Sequence, residues 1–411
     1  MQKTSARTPY LFFLLLLLIT GLVYANTARA QPQPDLLETG RIDTGGNAFY
    51  VQVSDNICVV SEVSYNGLKF YNVTDPTSIK LLGTYKHGSG APHNTIIHEN
   101  VVFLADMEDG VEIIDISDPS SPSFISSTRT GGYAWDLQLY KNLLYVVDYN
   151  EGLKIFDISD YGNLKEIGYF NSSSFSSIHI TENDLAFITA YKGELQILNI
   201  SDPTKPVPVG FYDELNAPTK VIVRDNIAHI SDWDNGYISL DVSDPENPIE
   251  FAHYNDGGTC VALHIDNNLA YISEWYNGLE ILNISNPKYP EKILQYNQSK
   301  ETKMVYVNNN LIYIADGFNG LVIIETNMQL GVPREHVPVD TQEPVGEETA
   351  PVSDDVSEST GGGIPGYPTQ SIVLGVTLGI LFWHFYRGKK LLSVMHRNKL
   401  CAIQFRVHYE A

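Results

Sequence analysis

Short apolar runs alternate with polar turn residues along most of the chain, and the same pattern returns about every 42 residues. The clearest copy, at 259–296, reads TCVALHIDNNLAYISEWYNGLEILNISNPKYPEKILQY. It holds four runs rich in β-branched and aromatic residues, separated by Asn, Gly and Asn-Pro. Alternation with a period of two between turn residues is typical of β-strands. Each copy therefore predicts four short strands.

A glycine opens the third run of every copy, at spacings of 41 to 43 residues, and the seven glycines are Gly67, Gly110, Gly152, Gly193, Gly236, Gly278 and Gly320. An isolated four-stranded sheet cannot bury both of its faces, whereas sheets stacked radially can. A repeat of this length also falls within the range of propeller blades. We therefore predict an all-β, seven-bladed propeller of four-stranded blades over 31–326.

The seventh copy stops after its third strand, near residue 326. The segment LLETGRID at 36–43 precedes the first copy and resembles the fourth strands IGYF and LLGTY. We expect this N-terminal strand to complete the last blade, because ring closure removes an exposed sheet edge.

The repeats carry the motifs GVEIIDISDP at 110–119, GLKIFDISD from Gly152 and GLVII at 320–324. These motifs resemble those of the LVIVD-repeat β-propellers of bacterial and archaeal cell-surface proteins. The resemblance covers about 36–326. It implies a propeller at the cell surface and no established chemistry.

The N-terminal residues 1–30 contain Lys3 and Arg7, an apolar run at 10–24 and small residues before Gln31. This order is typical of a cleaved secretory signal peptide, and a retained N-terminal anchor is the alternative. The apolar run is short for a membrane span.

Beyond the repeats, residues 327–365 are acidic and rich in Pro and Gly, which predicts a solvated stalk. Residues 366–386 are mostly apolar and uncharged, and RGKK follows them. This pattern favours a single transmembrane helix over a buried core helix, with 387–411 as a short basic cytoplasmic tail. The expected location is the cell membrane, with the propeller outside the cytoplasm.

The chain has 49 acidic and 26 basic residues and a formal net charge of −23. Such a charge argues against nucleic acid as a partner. Three cysteines are too few for a disulfide scaffold, and Cys58 and Cys260 lie in repeats that are not neighbours. We expect packing to hold the propeller together.

An acidic residue follows the second strand in six of the seven repeats, and Ala190 is the exception; the acidic ring comprises Glu62, Asp106, Asp148, Asp232, Glu274 and Asp316. One interpretation is a ligand-binding ring of carboxylates. The other is that each carboxylate accepts backbone N–H bonds within its own turn.

Aromatic residues stand close to these acids, at Tyr149, Tyr191, Trp233, Trp275 and Phe318. Aromatic rings beside carboxylates suit sugars or cationic groups, although such rings also cover neighbouring blades. We expect the binding contacts to come from Trp135, Trp233, Trp275, His93, Asp232 and Glu274. The DWDNG segment at 232–236 is a weak candidate for calcium, and no other cofactor is expected.

The middle of each first strand is expected to face the central channel, with Gln52, Ile96, Gln138, His179, Ile222, His264 and Tyr306. Polar lining of a wet channel is the simplest interpretation. His179 and His264 could ligate a metal, but no third ligand is evident. Asn171 and Asn297 begin Asn-x-Ser sequons in loops and are candidate glycosylation sites.

Catalytic motifs such as G-x-S-x-G and H-E-x-x-H do not occur in the chain. The favoured function is a non-catalytic binding or display module for a surface protein or glycan. The alternative is an extracellular polysaccharide hydrolase or lyase that uses two carboxylates of the acidic ring as acid and base.

Overall fold

A computed structural model describes residues 36–63, 67–86, 88 and 90–326 of the chain. This part is all β, and its strands form seven four-stranded antiparallel sheets. The seven sheets are the predicted blades.

The strands follow one another in the same order in every blade. The first strand is β1 (Leu36–Ile42). Blade 1 holds β2 (Asn47–Ser54), β3 (Ile57–Val63), β4 (Gly67–Asn72) and β5 (Lys80–Tyr85). Blade 2 holds β6 (Asn94–His98), β7 (Val101–Ala105), β8 (Val111–Asp115) and β9 (Ser123–Thr128). Blade 3 holds β10 (Ala134–Tyr140), β11 (Leu143–Asp148), β12 (Gly152–Asp157) and β13 (Lys165–Phe170).

The remaining blades continue this order. Blade 4 holds β14 (Phe175–Ile180), β15 (Leu185–Ala190), β16 (Glu194–Asn199) and β17 (Val207–Tyr212). Blade 5 holds β18 (Pro218–Arg224), β19 (Ile227–Asp232), β20 (Gly236–Asp241) and β21 (Ile249–Tyr254). Blade 6 holds β22 (Cys260–Asp266), β23 (Leu269–Glu274), β24 (Gly278–Asn283) and β25 (Glu291–Tyr296). Blade 7 holds β26 (Met304–Asn308), β27 (Leu311–Ala315) and β28 (Leu321–Thr326).

The N-terminal strand closes the ring as predicted. β1 pairs antiparallel with β28, from Leu36 opposite Thr326 to Ile42 opposite Leu321, and becomes the outer strand of blade 7. A Cβ on Gly40 would collide with the carbonyl oxygen of Pro76 in blade 1. The first strand of the chain therefore also packs against the next blade around the ring.

The repeated glycine has a conformational cause. In every blade this glycine has a positive φ, for example 84° at Gly110 and 94° at Gly152. A side chain at Gly152 would also collide with the carbonyl oxygen of Phe170 at the end of the outer strand. Because glycine adopts positive φ without a steric penalty, the sequence repeats it in every blade.

The hydrophobic core lies between adjacent blades. In one cluster Val147 and Ile155 of blade 3 pack against Phe175, Ile178 and Ala190 of blade 4. Similar clusters fill the other interfaces, as expected for radially stacked sheets. Cys58 and Cys260 are buried free thiols in this core.

The loops between second and third strands share one end of the disc with the loops between successive blades, and we call this end the loop face. The amide of Tyr149 donates to the carbonyl of Tyr133 at 2.9 Å, within blade 3. The carbonyl of Tyr149 in turn accepts from the amide of Ser174 at 2.6 Å, in the loop that enters blade 4. These bonds tie the loops of neighbouring blades into one surface.

The predicted signal peptide (1–30), stalk (327–365), membrane segment (366–386) and tail (387–411) lie outside the described residues. Within the described part, no helix has the length and apolar character needed to cross a membrane.

Candidate functional site

The acidic ring points into the protein. All six carboxylate residues are buried, with 0 to 4% of their surface exposed. Asp148 has the richest set of contacts: its Oδ1 accepts the amides of Tyr133, Asn150 and Glu151 at 2.8 to 3.1 Å, and its Oδ2 accepts that of Gly132 at 3.0 Å. This carboxylate holds its own turn and the loop that enters its blade.

Asp232 has a similar role in blade 5. It accepts the amides of Asn216 at 2.7 Å and Ala217 at 3.0 Å. Asp234, the second acid of the weak calcium candidate at 232–236, is exposed, whereas Asp232 faces the interior.

Asp316 continues this pattern in blade 7, whereas Glu62 of blade 1 pairs with a lysine. Asp316 accepts the amides of Lys300 at 2.9 Å and Glu301 at 2.8 Å. The Nζ of Lys69 lies 3.0 Å from Oε2 of Glu62. The contacts of Asp148, Asp232 and Asp316 match the interpretation of the acidic ring as backbone acceptors.

Asp106 and Glu274 are two members of the ring whose charged forms are disfavoured by their surroundings. Burial, reinforced by the negative charges of Glu112 and Asp109, raises the pKa of Asp106 to about 8. Burial, reinforced by Glu280 and Asp256, raises the pKa of Glu274 to about 8 as well. Both carboxyl groups therefore sit where a negative charge is poorly compensated.

Trp135 and His93 lie in a packed aromatic cluster. Trp135 is only 7% exposed, and its ring centroid lies 4.2 Å from that of His93 and 5.7 Å from that of Tyr149. The ring of Phe49 also packs against His93, with the two centroids 4.7 Å apart. Burial lowers the pKa of His93 to about 4, so the imidazole is neutral near pH 7. These rings fill the space between blades 1 to 4, together with Tyr191.

Trp233 and Trp275 belong to a more accessible group. Their rings meet edge to face at 5.2 Å, and Tyr276 lies 6.0 Å from Trp275. Both tryptophans are half-buried, whereas Tyr276 is 69% exposed. We call Trp233, Trp275 and Tyr276 the aromatic ridge.

A lysine borders the ridge. The Nζ of Lys303 lies 3.1 Å from the ring centroid of Trp275 and 3.6 Å from Oε2 of Glu301. Burial lowers the pKa of Lys303 to about 8, because the charged ammonium is poorly solvated there. Phe318, in the next blade, is 61% exposed.

An ion pair that the sequence analysis missed joins blades 3 and 5 across blade 4. The Nζ of Lys220 lies 3.0 Å from Oδ2 of Asp136, and the same oxygen accepts from Ser177 Oγ at 2.7 Å and from the amide of Ile178 at 3.0 Å. Asn94 of blade 2 donates its side-chain amide to the other oxygen. All these residues belong to first strands, so four blades meet at one carboxylate.

Two of the predicted channel residues bind the neighbouring blade. Gln52 accepts the amide of Ile97 at 2.9 Å, and Gln138 accepts that of Ile180 at 2.7 Å. Burial lowers the pKa values of His179 and His264 to about 4. Within the described ranges, the histidines join no group of three candidate metal ligands, and such a group occurs at Asp256, Glu274 and Glu280.

A comparison with known protein families shows to which family the chain belongs. The LVIVD repeat matches at 89–130, 131–172, 176–214, 219–256, 257–298 and 300–325. The chain belongs to the LVIVD-repeat family. These matches correspond to blades 2 to 7, and blade 1 has the same strand order although no match covers it. No curated protein matches the chain.

Solved structures show the same fold in proteins of different sequence. The LVIVD-repeat propeller is similar to the computationally designed Ika8 protein, with a TM-score of 0.53 and 13% identity over 70% of this chain and 99% of that one. It is also similar to the β-propeller domain of Cps50 (Swd1) from Myceliophteria thermophila, with a TM-score of 0.57 and 11% identity over 71% and 99%. At these identities the likeness concerns the fold alone.

The structure thus places most of the predicted site residues of the LVIVD-repeat propeller in three groups. Asp148, Asp232 and Asp316 bind backbone amides, and Trp135 and His93 pack between blades. Trp233 and Trp275 form a half-buried surface with Tyr276, which the sequence analysis did not single out. The adjacency of Tyr276 to Trp275 was the signal that could have identified it. Asn171 and Asn297, the candidate glycosylation sites, are both exposed.

Proposed function

We propose that this LVIVD-repeat propeller is a non-catalytic binding module that recognises a surface glycan or protein through the aromatic ridge of its loop face. The observation that carries the proposal is the exposed ring of Tyr276 beside the half-buried rings of Trp233 and Trp275. Most of the other large exposed apolar side chains lie on or next to outer strands, for example Tyr169 and Phe211. The ridge therefore differs from the rim of the disc by its place among the loops.

The chemistry of the ridge suits recognition. Tyrosine and tryptophan bury large rigid surfaces at a small entropic cost, and a tyrosine hydroxyl can also bond to hydroxyl or amide groups. The edge-to-face contact between Trp233 and Trp275 holds both rings in fixed orientations before any partner arrives. Such preorganisation lowers the cost of binding.

Catalysis by the acidic ring is less well supported. A glycoside hydrolase needs two carboxyl groups that reach the substrate, one as acid and one as base or nucleophile. Asp148, Asp232 and Asp316 are fully buried and already accept two or more backbone amides each. We therefore favour binding over hydrolysis or elimination at this face.

The proposal includes export and anchoring. The sequence pattern of 1–30 supports secretion, and the apolar segment 366–386 with its basic flank supports a single membrane span. A stalk at 327–365 would let the disc present its loop face to partners at the cell surface.

The experiment uses the purified full chain to capture partners from a glycan panel and from surface extracts. The double variant Trp233→Ala/Tyr276→Ala is compared with wild type and with Tyr169→Ala, which removes a 60% exposed tyrosine from the outer strand β13. We expect wild type and Tyr169→Ala to retain the same partner and the double variant to lose it. Equal retention by all three proteins, or no partner for wild type, would contradict the proposal.

A further inference from the structure

We propose that Asp256, Glu274 and Glu280 form a binding site for a divalent cation of the calcium class in blade 6. Asp256 lies in the loop that enters the blade, Glu274 ends β23, and Glu280 lies in β24. Each residue offers one carboxylate oxygen, and the three oxygens all lie within 4.8 Å of one another. Two oxygens that share one calcium ion at about 2.4 Å can be no more than about 4.8 Å apart. The proposal does not depend on the proposed function.

A second observation concerns the hydrogen bonds of Glu274. This residue is 4% exposed, and its Oε2 has no hydrogen-bond partner among the described residues. In blade 5 the equivalent Asp232 accepts a hydrogen bond from the amide of Asn216, which lies 16 residues before it. The corresponding amide in blade 6, that of Gly258, instead donates to Oδ1 of Asp256 at 3.2 Å. The loop thus orients Asp256 and leaves a buried oxygen of Glu274 in need of a positive partner.

The negative charges of the cluster are also not fully balanced by positive ones. Lys292 is the cation of the cluster, with its Nζ 2.8 Å from Oδ2 of Asp256 and 2.9 Å from Oε1 of Glu280. A bound cation requires the carboxylates to be deprotonated, and three carboxylates beside one ammonium would then carry a net charge of −2, which a divalent cation would balance. The hydroxyl of Tyr254 donates to Oε1 of Glu280 at 2.9 Å and fixes that side chain from the preceding blade.

The donor set selects the type of cation. Carboxylate oxygens without imidazole or thiolate ligands favour hard cations, and calcium accepts irregular arrangements of six to eight oxygens. Asp256 is exposed, so water can reach the site and supply further ligands. Sites of this kind in extracellular modules bind calcium with dissociation constants on the order of 0.1 to 1 mM.

The test uses the purified full chain and two probes, Ca²⁺ and Tb³⁺. Trp275 follows Glu274 directly in the chain, so excitation of its indole should sensitise Tb³⁺ luminescence at this site. We expect saturable luminescence that Ca²⁺ competes away, and a melting temperature that rises with Ca²⁺. Asp256→Asn and Glu274→Gln should each weaken Ca²⁺ binding by about tenfold or more, because each removes a charged ligand.

Two further variants make the test specific. Glu246→Gln alters an exposed acid of blade 5 and should leave Ca²⁺ binding unchanged. Lys292→Met removes the competing ammonium and should bind Ca²⁺ at least as tightly as wild type. The proposal is overturned if wild type gives no saturable signal, which would leave a proton shared between Glu274 and Asp256 as the account of the pair. It is equally overturned if Asp256→Asn and Glu274→Gln bind as wild type does, or if Lys292→Met loses binding.

Discussion

The guanidinium Nη1 of Arg41 lies 3.2 Å from Oδ2 of Asp316, although 275 residues separate the two in the chain. Arg41 belongs to the N-terminal strand β1, and Asp316 is the member of the acidic ring in blade 7. Arg41 also bonds Glu38 at 2.9 Å, and its Nη2 lies 3.3 Å from the hydroxyl of Tyr296 in blade 6. One side chain thus fastens the closing strand to two blades.

Substitution of this residue tests the contribution of the closure contacts to stability. We expect Arg41→Met to lower the free energy of unfolding by about 1 to 3 kcal/mol, because the buried Oδ2 of Asp316 loses its charged donor. Thermal and urea unfolding of the full chain would measure the loss. Arg129→Met is the control, since that side chain is 81% exposed and lies 3.8 Å from Asp109. Equal melting temperatures for the two variants would contradict the assigned role of Arg41.

The ion pair between Asp136 and Lys220 should contribute more to the free energy of unfolding than the contacts of Arg41 do. Lys220→Met leaves the buried Asp136 without its cation and should cost about 3 to 5 kcal/mol. Asp136→Asn in the same chain should recover part of that loss, because the uncompensated charge is gone. Chemical unfolding of the two single variants and the double variant gives the coupling energy. Additive losses would show that the two side chains do not act as a pair.

Substitution of Asp148 tests whether the carboxylates of the acidic ring act as acceptors of backbone N–H bonds. In Asp148→Asn one oxygen becomes an amide nitrogen, which cannot accept the N–H bonds that the carboxylate receives. We expect a loss of about 1 to 3 kcal/mol in unfolding free energy and faster amide hydrogen exchange at Gly132. The matched control is Asp234→Asn, at an exposed acid two residues after a ring position. An unchanged exchange rate at Gly132 would be inconsistent with this role.

The stability of the propeller should depend on pH through four histidines with lowered pKa values. Burial lowers the pKa values of His93, His179, His229 and His264 to about 4. An unfolded histidine has a pKa of about 6.5, so the unfolded chain binds more protons between about pH 4 and 6.5. This contribution to stability is complete above about pH 6.5 and decreases as the pH falls, by up to about 1.4 kcal/mol per unit for each histidine.

Carboxyl groups with raised pKa values act in the opposite direction. The pKa values of Asp106 and Glu274 are raised to about 8, so their neutral forms favour the folded state at low pH, and stability decreases as the pH rises from about 4 towards 8. Burial also raises the pKa of Glu280. Four histidines outweigh these three carboxyl groups below about pH 6.5, which predicts maximum stability near that pH. Urea unfolding between about pH 4.5 and 8.5 measures the profile.

A histidine variant provides the control for this profile. His179→Gln introduces the residue that Gln52 and Gln138 supply at equivalent positions, and it should flatten the acidic limb. An acidic limb as steep as that of wild type would exclude His179 as a contributor.

The fold could be predicted from the sequence because every blade places the same local requirements on its residues. Each blade needs a positive φ before its third strand, so glycine returns at Gly110, Gly152 and their equivalents. The closing strand was predictable for a related reason, since the seventh repeat lacks a fourth strand and the segment at 36–43 has no other partner.

The pair of Asp136 and Lys220 was not predictable in the same way. The equivalent positions of other blades hold Tyr50, Asn94 and Ala262, so the repeats give no common pattern there. Only closure of the ring brings these first strands together around the channel. The sequence also could not distinguish the buried Trp135 from the half-buried Trp233, because burial depends on which neighbouring loops cover each ring.

The most direct test of the proposed function is the dissociation constant of the captured partner for wild type, Tyr276→Ala and Tyr169→Ala. Both variants remove one exposed tyrosine, but only Tyr276 belongs to the aromatic ridge. The proposal predicts that Tyr276→Ala binds about tenfold more weakly or worse, as expected for an aromatic contact residue, while Tyr169→Ala binds as wild type does. The same dissociation constant for all three proteins would contradict recognition through the ridge.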